Sequence, residues 1–216
     1  MVHNLSDSDS IIGNYLAELR DIKIQKDPMR FRANLERIAE IMAYEISRKL
    51  KYKAVDVETP LGIAPSRILE EQPVLITILR AGLAMHSGFL RYFDRAESAY
   101  VSAYRKHTTP EEFEIYVEYL AAPVLDNRIW IISDPMLATG GTLIMAFHYL
   151  IDLGATDITA VCILSAPEGI AAVEKEFANS RVPITIVTGA LDEKLNEHGY
   201  IVPGLGDAGD RLYGVV

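Results

Sequence analysis

From residue 73 onward the chain repeats one pattern: a short apolar run, a turn or polar break, then a helix-like stretch. The runs are 74–79, 100–104, 129–132, 158–164 and 184–187, and the helix-like stretches fall near 83–93, 141–153 and 168–179. Strands that alternate with helices predict an α/β fold with a mostly parallel sheet covered by helices on both faces. Near-continuous apolar runs such as Ile129-Trp130-Ile131-Ile132 suit strands buried on both sides.

Two helices are predicted ahead of this repeat, over 11–25 and 28–50. In the second, Phe31, Leu35, Ile38, Ile41, Met42, Ile46 and Leu50 recur at helical spacing. Asp27 is the expected N-cap, with Pro28 at the first helical position. One insertion interrupts the sheet. Over 105–123, Thr108-Thr109-Pro110 signals a turn, and Phe113, Ile115, Val117 and Tyr119 then alternate, which predicts a β-hairpin arm. The segment 199–214 carries Gly199, Gly204, Gly206, Gly209, Gly214 and Pro203, and is expected to be a loop without regular structure. At 216 residues the whole chain, 1–216, is expected to form a single domain.

Composition narrows the classes of function. Half of the residues are hydrophobic and 24% are charged, which fits a soluble globular protein and excludes a largely disordered chain. The net charge of −9 argues against a broad nucleic-acid face. No apolar run approaches the roughly 18–20 residues of a membrane span, and residues 1–10 are too polar for a signal peptide. One cysteine, Cys162, cannot form an internal disulfide; it lies in an apolar run and is expected to be a core thiol in a cytoplasmic protein.

Ligands of open parallel sheets bind beyond the carboxyl ends of the strands. After the run 129–132 comes Ser133-Asp134-Pro135-Met136-Leu137-Ala138-Thr139-Gly140-Gly141-Thr142, and then an apolar helix. Small residues there let backbone N–H groups approach an anion, the helix N-terminus adds favourable partial charge, and the Thr139 and Thr142 hydroxyls can donate. A monophosphate would fit; a plain glycine turn before a structural helix is the competing reading. No Gly-Lys-Ser/Thr follows, so this is not a Walker loop, and it is not the dinucleotide fingerprint. Asp134 is placed either to accept hydrogen bonds from paired ribose hydroxyls or to cap its own loop. Arg80-Ala81-Gly82 follows the run 74–79, and Arg105 follows 100–104. Each Arg suits a further phosphate group, or is a solvated surface cation.

These residues carry a resemblance. An apolar strand, an acid and then Ala138-Thr139-Gly140-Gly141-Thr142 resembles the motif with which type I phosphoribosyltransferases bind phosphoribosyl diphosphate (PRPP). Most of that superfamily has two adjacent acids; here Pro135 replaces the second, and the run Asp134 to Gly141 is similar to the uracil phosphoribosyltransferase branch. Leu79-Arg80-Ala81-Gly82-Leu83 resembles that branch's diphosphate loop. Tyr200-Ile201-Val202-Pro203-Gly204-Leu205-Gly206-Asp207-Ala208-Gly209-Asp210-Arg211 resembles its uracil-binding hood.

The resemblance implies the type I phosphoribosyltransferase fold, with the arm at 105–123 and the hood at 199–214. It implies uracil and PRPP as substrates, UMP and diphosphate as products of pyrimidine salvage, Mg²⁺ as cofactor and a homodimer or homotetramer; some relatives are activated by GTP. PRPP would be bound by Arg80, Ala81, Gly82, Arg105, Asp134 to Thr142 and Asp207. Uracil would be read by Ile201, Gly206, Asp207 and Ala208. Asp134, Arg105 and Asp207 would be the catalytic set, with Mg²⁺ held mainly through PRPP and Asp207 the one protein residue placed to touch it. Backbone groups complementary to uracil's carbonyl, imide N–H and carbonyl would be left unsatisfied by cytosine. The C1′–diphosphate bond would loosen before the base attacks, giving an oxocarbenium-like ribose stabilised electrostatically. Three features depart from the branch: Ser87 stands for an acid, Lys106-His107 for acids, and the arm reads Ile115-Tyr116-Val117-Glu118-Tyr119-Leu120. They motivate an alternative, a catalytically weak or inactive sensor or regulator that kept the fold.

Overall fold

The computed structural model describes residues 1–107, 113–121 and 128–214, with backbone alone over 103–107 and 113–121. The predicted turn Thr108-Thr109-Pro110 lies outside the described residues. In chain order the elements are β1 (Val2–Asn4), α1 (Ile11–Arg20), α2 (Pro28–Ser47), β2 (Tyr52–Thr59), β3 (Gly62–Leu69), β4 (Val74–Leu79), α3 (Leu83–Tyr92), β5 (Glu97–His107) and β6 (Phe113–Ala121). They continue with β7 (Ile129–Ser133), β8 (Met136–Leu137), α4 (Gly141–Asp152), β9 (Asp157–Ser165), α5 (Pro167–Glu176), β10 (Ile184–Leu191), β11 (Lys194–Leu195), β12 (Ile201–Val202) and α6 (Ala208–Tyr213).

The main sheet runs β1-β10-β9-β7-β4-β5-β6, with β8 alongside β9. Every pairing is parallel except β5 with β6, the antiparallel arm. Side chains alternate across the sheet as a period of two requires. On one face Leu75, Ile131, Val161, Ile163 and Val187 pack with Leu16 and Leu19 of α1, Leu35, Ile38 and Met42 of α2, and Met85 and Phe89 of α3. On the other, Val74, Ile76, Trp130, Ile132, Ala160 and Cys162 pack with Leu143, Phe147 and Leu150 of α4 and Ile170 and Val173 of α5. Each fully buried Leu, Ile or Phe contributes about 1.5–3 kcal/mol, so this two-sided burial is what makes the apolar runs continuous. Asp27 caps α2 as its sequence predicts, accepting from the N–H groups of Met29 and Arg30, with Pro28 at the first position.

The sheet order fixes where a ligand can sit. From β4 the chain passes through α3 to β5 on one side, whereas β7 pairs with β4 on the other side and leads through α4 to β9. The connections therefore diverge between β4 and β7, and the crevice beyond their carboxyl ends is the topological switch point.

Several parts differ from the sequence expectation: the first helix ends at Arg20, short of the predicted residue 25. The hood at 199–214 is not an irregular loop: it contains β12, paired antiparallel with β11, and the six-residue helix α6. The positive φ angles of Gly199, Gly204, Gly206 and Gly214 lie at the joints of these pieces, not inside them, so glycine there shapes corners without dissolving the elements. The ribbon β2–β3 and the edge strand β1 were not anticipated. The ribbon is a two-stranded sheet separate from the main one, with Leu61, Ile63 and Ile68 exposed.

Candidate active site

Three loops meet at the switch point. The first follows β4. Gly82 is obligatory in it, because an added Cβ would stand 2.6 Å from the Ser133 carbonyl oxygen and 2.8 Å from that of Ile78. Removing the side chain lets the loop fold against the ends of β4 and β7 and turns Arg80 outward; Arg80 is exposed, and its Leu79–Arg80 peptide is cis.

The second follows β7. Pro135 closes it, its carbonyl accepting from the N–H groups of Ile163 and Leu164 at 2.9 and 3.0 Å. Gly140 turns with φ +87° into the N-terminus of α4. The turn lies on Gly169 of α5, where an added Cβ would stand 2.2 Å from the Ala138 carbonyl oxygen. The cradle is thus held from below by a glycine contact, with the free N–H groups of the α4 N-terminus at its upper side.

The third is the hood. Ile201 and Leu205 are buried in the α1–α3 core, and Gly204 and Gly206 turn the chain between them and α6. Asp207 caps α6, one carboxylate oxygen accepting from the Asp210 N–H at 2.9 Å. Asp207 also lies near Arg80: a Cβ on Gly209 would be 3.3 Å from Asp207 Oδ1 and 4.0 Å from the Arg80 guanidinium.

Together the loops enclose a cavity of about 500 Å³. Arg80, Ala81, Asp134, Met136, Ala138, Thr142, Ile201, Gly206, Asp207 and Ala208 line it. Leu137, Thr139 and Gly140 line an adjoining recess that shares Asp134, Met136, Ala138 and Thr142. Gly82, Pro135 and Gly141 line neither; Gly82 and Pro135 shape the loops from behind, and Gly141 starts α4. The Arg105 backbone lies in the arm opposite Ile115, and its side chain falls outside the described residues. Asp134 is half-buried, and burial pushes its carboxyl up to about 6, against the opposing effect of the Met136 N–H it accepts. A partly desolvated carboxylate there gains from a ligand that supplies hydroxyl donors.

His198, Gly199 and Tyr200 also line the cavity, although the sequence reading assigned none of them a role. Asn196 orders this corner, accepting from the N–H groups of His198 and Tyr200. An Asn shortly before a Gly is a turn signal that marks the corner in sequence.

The fold is that of a phosphoribosyltransferase-fold protein: a hypoxanthine phosphoribosyltransferase from Staphylococcus aureus superposes with a TM-score of 0.52 at 13% identity, covering 85% of this chain and 91% of that one. The solved AQ2163 protein from Aquifex aeolicus reaches a TM-score of 0.87 at 32% identity, over 100% of this chain and 99% of the other. A family profile described as uracil phosphoribosyltransferase matches residues 7–215. A uracil phosphoribosyltransferase from Porphyromonas gingivalis is 44% identical over 214 residues, 99% of this chain and 98% of the relative. The chain belongs to the uracil phosphoribosyltransferase family.

Proposed function

We propose that the chain transfers a phosphoribosyl group from PRPP to N1 of uracil, releasing UMP and diphosphate. The observation that carries this reading is the shared cavity: the Arg80 loop, the Asp134–Thr142 cradle and the hood face one space of about 500 Å³. Phosphate-binding and base-reading surfaces must face each other across the reacting C1′ for a transferase of this kind.

In this reading the backbone N–H groups and threonines of 138–142 hold the 5′-phosphate. Asp134 accepts from the ribose hydroxyls, and Arg80 and Arg105 hold the diphosphate. Backbone groups of Ile201, Gly206 and Ala208 read the base; Ala208 opens α6, where a backbone N–H has no acceptor within the helix. The C1′–O bond to diphosphate breaks as the N1–C1′ bond forms, and the N1 proton is released. Arg80 stabilises charge gathering on the leaving oxygen, so the chain contributes position and electrostatics and needs no covalent nucleophile.

Among the described residues no three His, Cys, Asp or Glu side chains cluster to hold a metal ion. Asp207 has one oxygen committed to its own helix cap and one remaining. Such a donor set fits a Mg²⁺ held mainly by diphosphate oxygens, with Asp207 as the protein residue within its reach. When bound, the ion would neutralise charge on the departing diphosphate.

Ser87, one of the departures that favours a silent sensor, is exposed on α3 and lines neither cavity nor recess, which supports the enzyme over that alternative. The exposed apolar residues of the ribbon support self-association into a homodimer or homotetramer. The buried thiol of Cys162 suits a reducing compartment such as the cytoplasm.

The test is a base panel. Purified protein with PRPP and Mg²⁺ is given uracil, cytosine, orotate or hypoxanthine, with and without GTP, the effector the resemblance implies, and nucleotides are separated by chromatography. UMP from uracil alone is expected. A nucleotide from another base overturns the uracil assignment, and none from any base overturns transfer.

A further inference from the structure

One ion pair, with its carboxylate buried and its guanidinium half-buried, joins the hood to an element far from it in sequence. Arg20, the last residue of α1, forks onto Asp192 just beyond β10, with hydrogen bonds of 2.8 and 2.5 Å to its two carboxylate oxygens. The Asp192 side chain is only 4% exposed. Both partners also grip one hood residue. The Gly204 N–H donates to Asp192 at 2.8 Å, and Arg20 donates to the Gly204 carbonyl at 3.0 Å. The two backbone polar groups of a single residue are thus held by opposite ends of one ion pair.

The gripped residue has no slack. Gly204 sits at φ +62°, and a Cβ there would stand 2.1 Å from the Ile201 carbonyl oxygen. On either side of it lie the base-facing positions Ile201 and Gly206. The pair is itself anchored at both ends. The Asp192 N–H donates to the Ser165 carbonyl at the end of β9, and buried Gln25 donates to the Arg20 carbonyl at 3.1 Å. Neither Arg20 nor Asp192 lines the cavity.

We infer that Arg20 and Asp192 are positioning residues that set the height of the hood over the base, and so determine the affinity and selectivity for uracil, not those for PRPP. The inference rests on the reading of the hood as the base-binding loop. A bidentate guanidinium–carboxylate pair suits this work because its geometry is planar and fixed. The hydrogen bonds it makes to Gly204 place the hood backbone against the base. An ion pair of this kind contributes little net stability by burial alone, since desolvation offsets attraction.

The test uses steady-state kinetics of the full chain with each substrate varied in turn, alongside melting temperatures. Asp192→Asn keeps an oxygen for the Gly204 N–H but loses the charge; Arg20→Met leaves Asp192 buried and unpaired. Each is expected to raise KM for uracil about tenfold or more, the size of losing a charge-assisted hydrogen bond. KM for PRPP should stay within about twofold at temperatures where the variants are folded, and cytosine should compete better than in the natural chain. Arg20→Lys, which keeps the charge but not the fork, should recover part of the loss. Gly206→Ala, inside the loop, tests the underlying reading, because φ +87° there disfavours a side chain while nothing lies within 4 Å to clash. If Gly206→Ala raises KM for uracil and the pair variants only lower the melting temperature, the positioning role fails and the hood reading stands. If none of the variants moves KM for uracil, the hood reading falls and the inference with it. Equal rises in KM for both substrates also overturn the inference.

Discussion

Asp134 is asked to carry a charge from a half-buried position on the cavity wall. Burial lifts its carboxyl to about 6 from an ordinary value of 3.8. A folded-state value above the unfolded one means the folded chain keeps the proton longer, so stability falls as pH rises from about 4 to about 6, by roughly 3 kcal/mol in all. Asp134→Asn removes that cost. At pH 7.5 the variant should melt higher, by about 2–4 °C for each kcal/mol recovered, while turnover falls about 10–100-fold from the lost charged acceptor. A variant that melts lower would show that Asp134 is structural. The same titration predicts that kcat/KM for PRPP falls as pH drops through about 6 and that Asp134→Asn loses this limb. Asp134 and Arg80 were legible in sequence because each follows an apolar strand. Arg20 and Asp192 were not, since 172 residues separate two ordinary charged side chains. His86 was equally silent: it is buried behind the Arg80 loop, 2.7 Å from Thr77 and 3.0 Å from Ser98, and burial lowers its pKa. Nothing in its local sequence distinguishes that polar chain from a surface histidine.

The working parts at the level of elements are a strand end, a helix start and the contact beneath them. The 138–142 cradle rests on α5 through Gly169, where a Cβ would meet the Ala138 carbonyl oxygen at 2.2 Å. Gly169→Ala should therefore push the cradle outward and raise KM for PRPP with KM for uracil little changed, at a stability cost of about 1–3 kcal/mol. Measured KM values for the two substrates and a denaturant midpoint check this; an unchanged KM for PRPP would separate the cradle from phosphate binding. The central strands and helices were readable within a few residues because two-sided burial forces continuous apolar runs and caps mark the helix starts. Elements without that burial were not. The strands β2 and β3 are mostly exposed and carry no clean alternation. The hood's glycines outweighed its short helix because a count of glycines does not show that they occupy only the corners.

At the scale of the whole molecule, one topological choice places everything else. Connections leave β4 and β7 in opposite directions, so the loops bearing Arg80 and Asp134 open on a common crevice, and the hood closes it from the carboxyl-terminal end of the chain. Against a net charge of −9, Arg80 and the backbone N–H groups at the start of α4 are the donors this crevice offers an anion. In the proposed reaction this crevice joins a ribose carbon to a pyrimidine nitrogen. Phosphorus NMR of the protein with PRPP, Mg²⁺ and uracil tests it directly. PRPP signals are expected to decay while UMP and diphosphate grow one for one, with no decay when cytosine replaces uracil. Decay of PRPP to ribose 5-phosphate without UMP, or no decay at all, would contradict it.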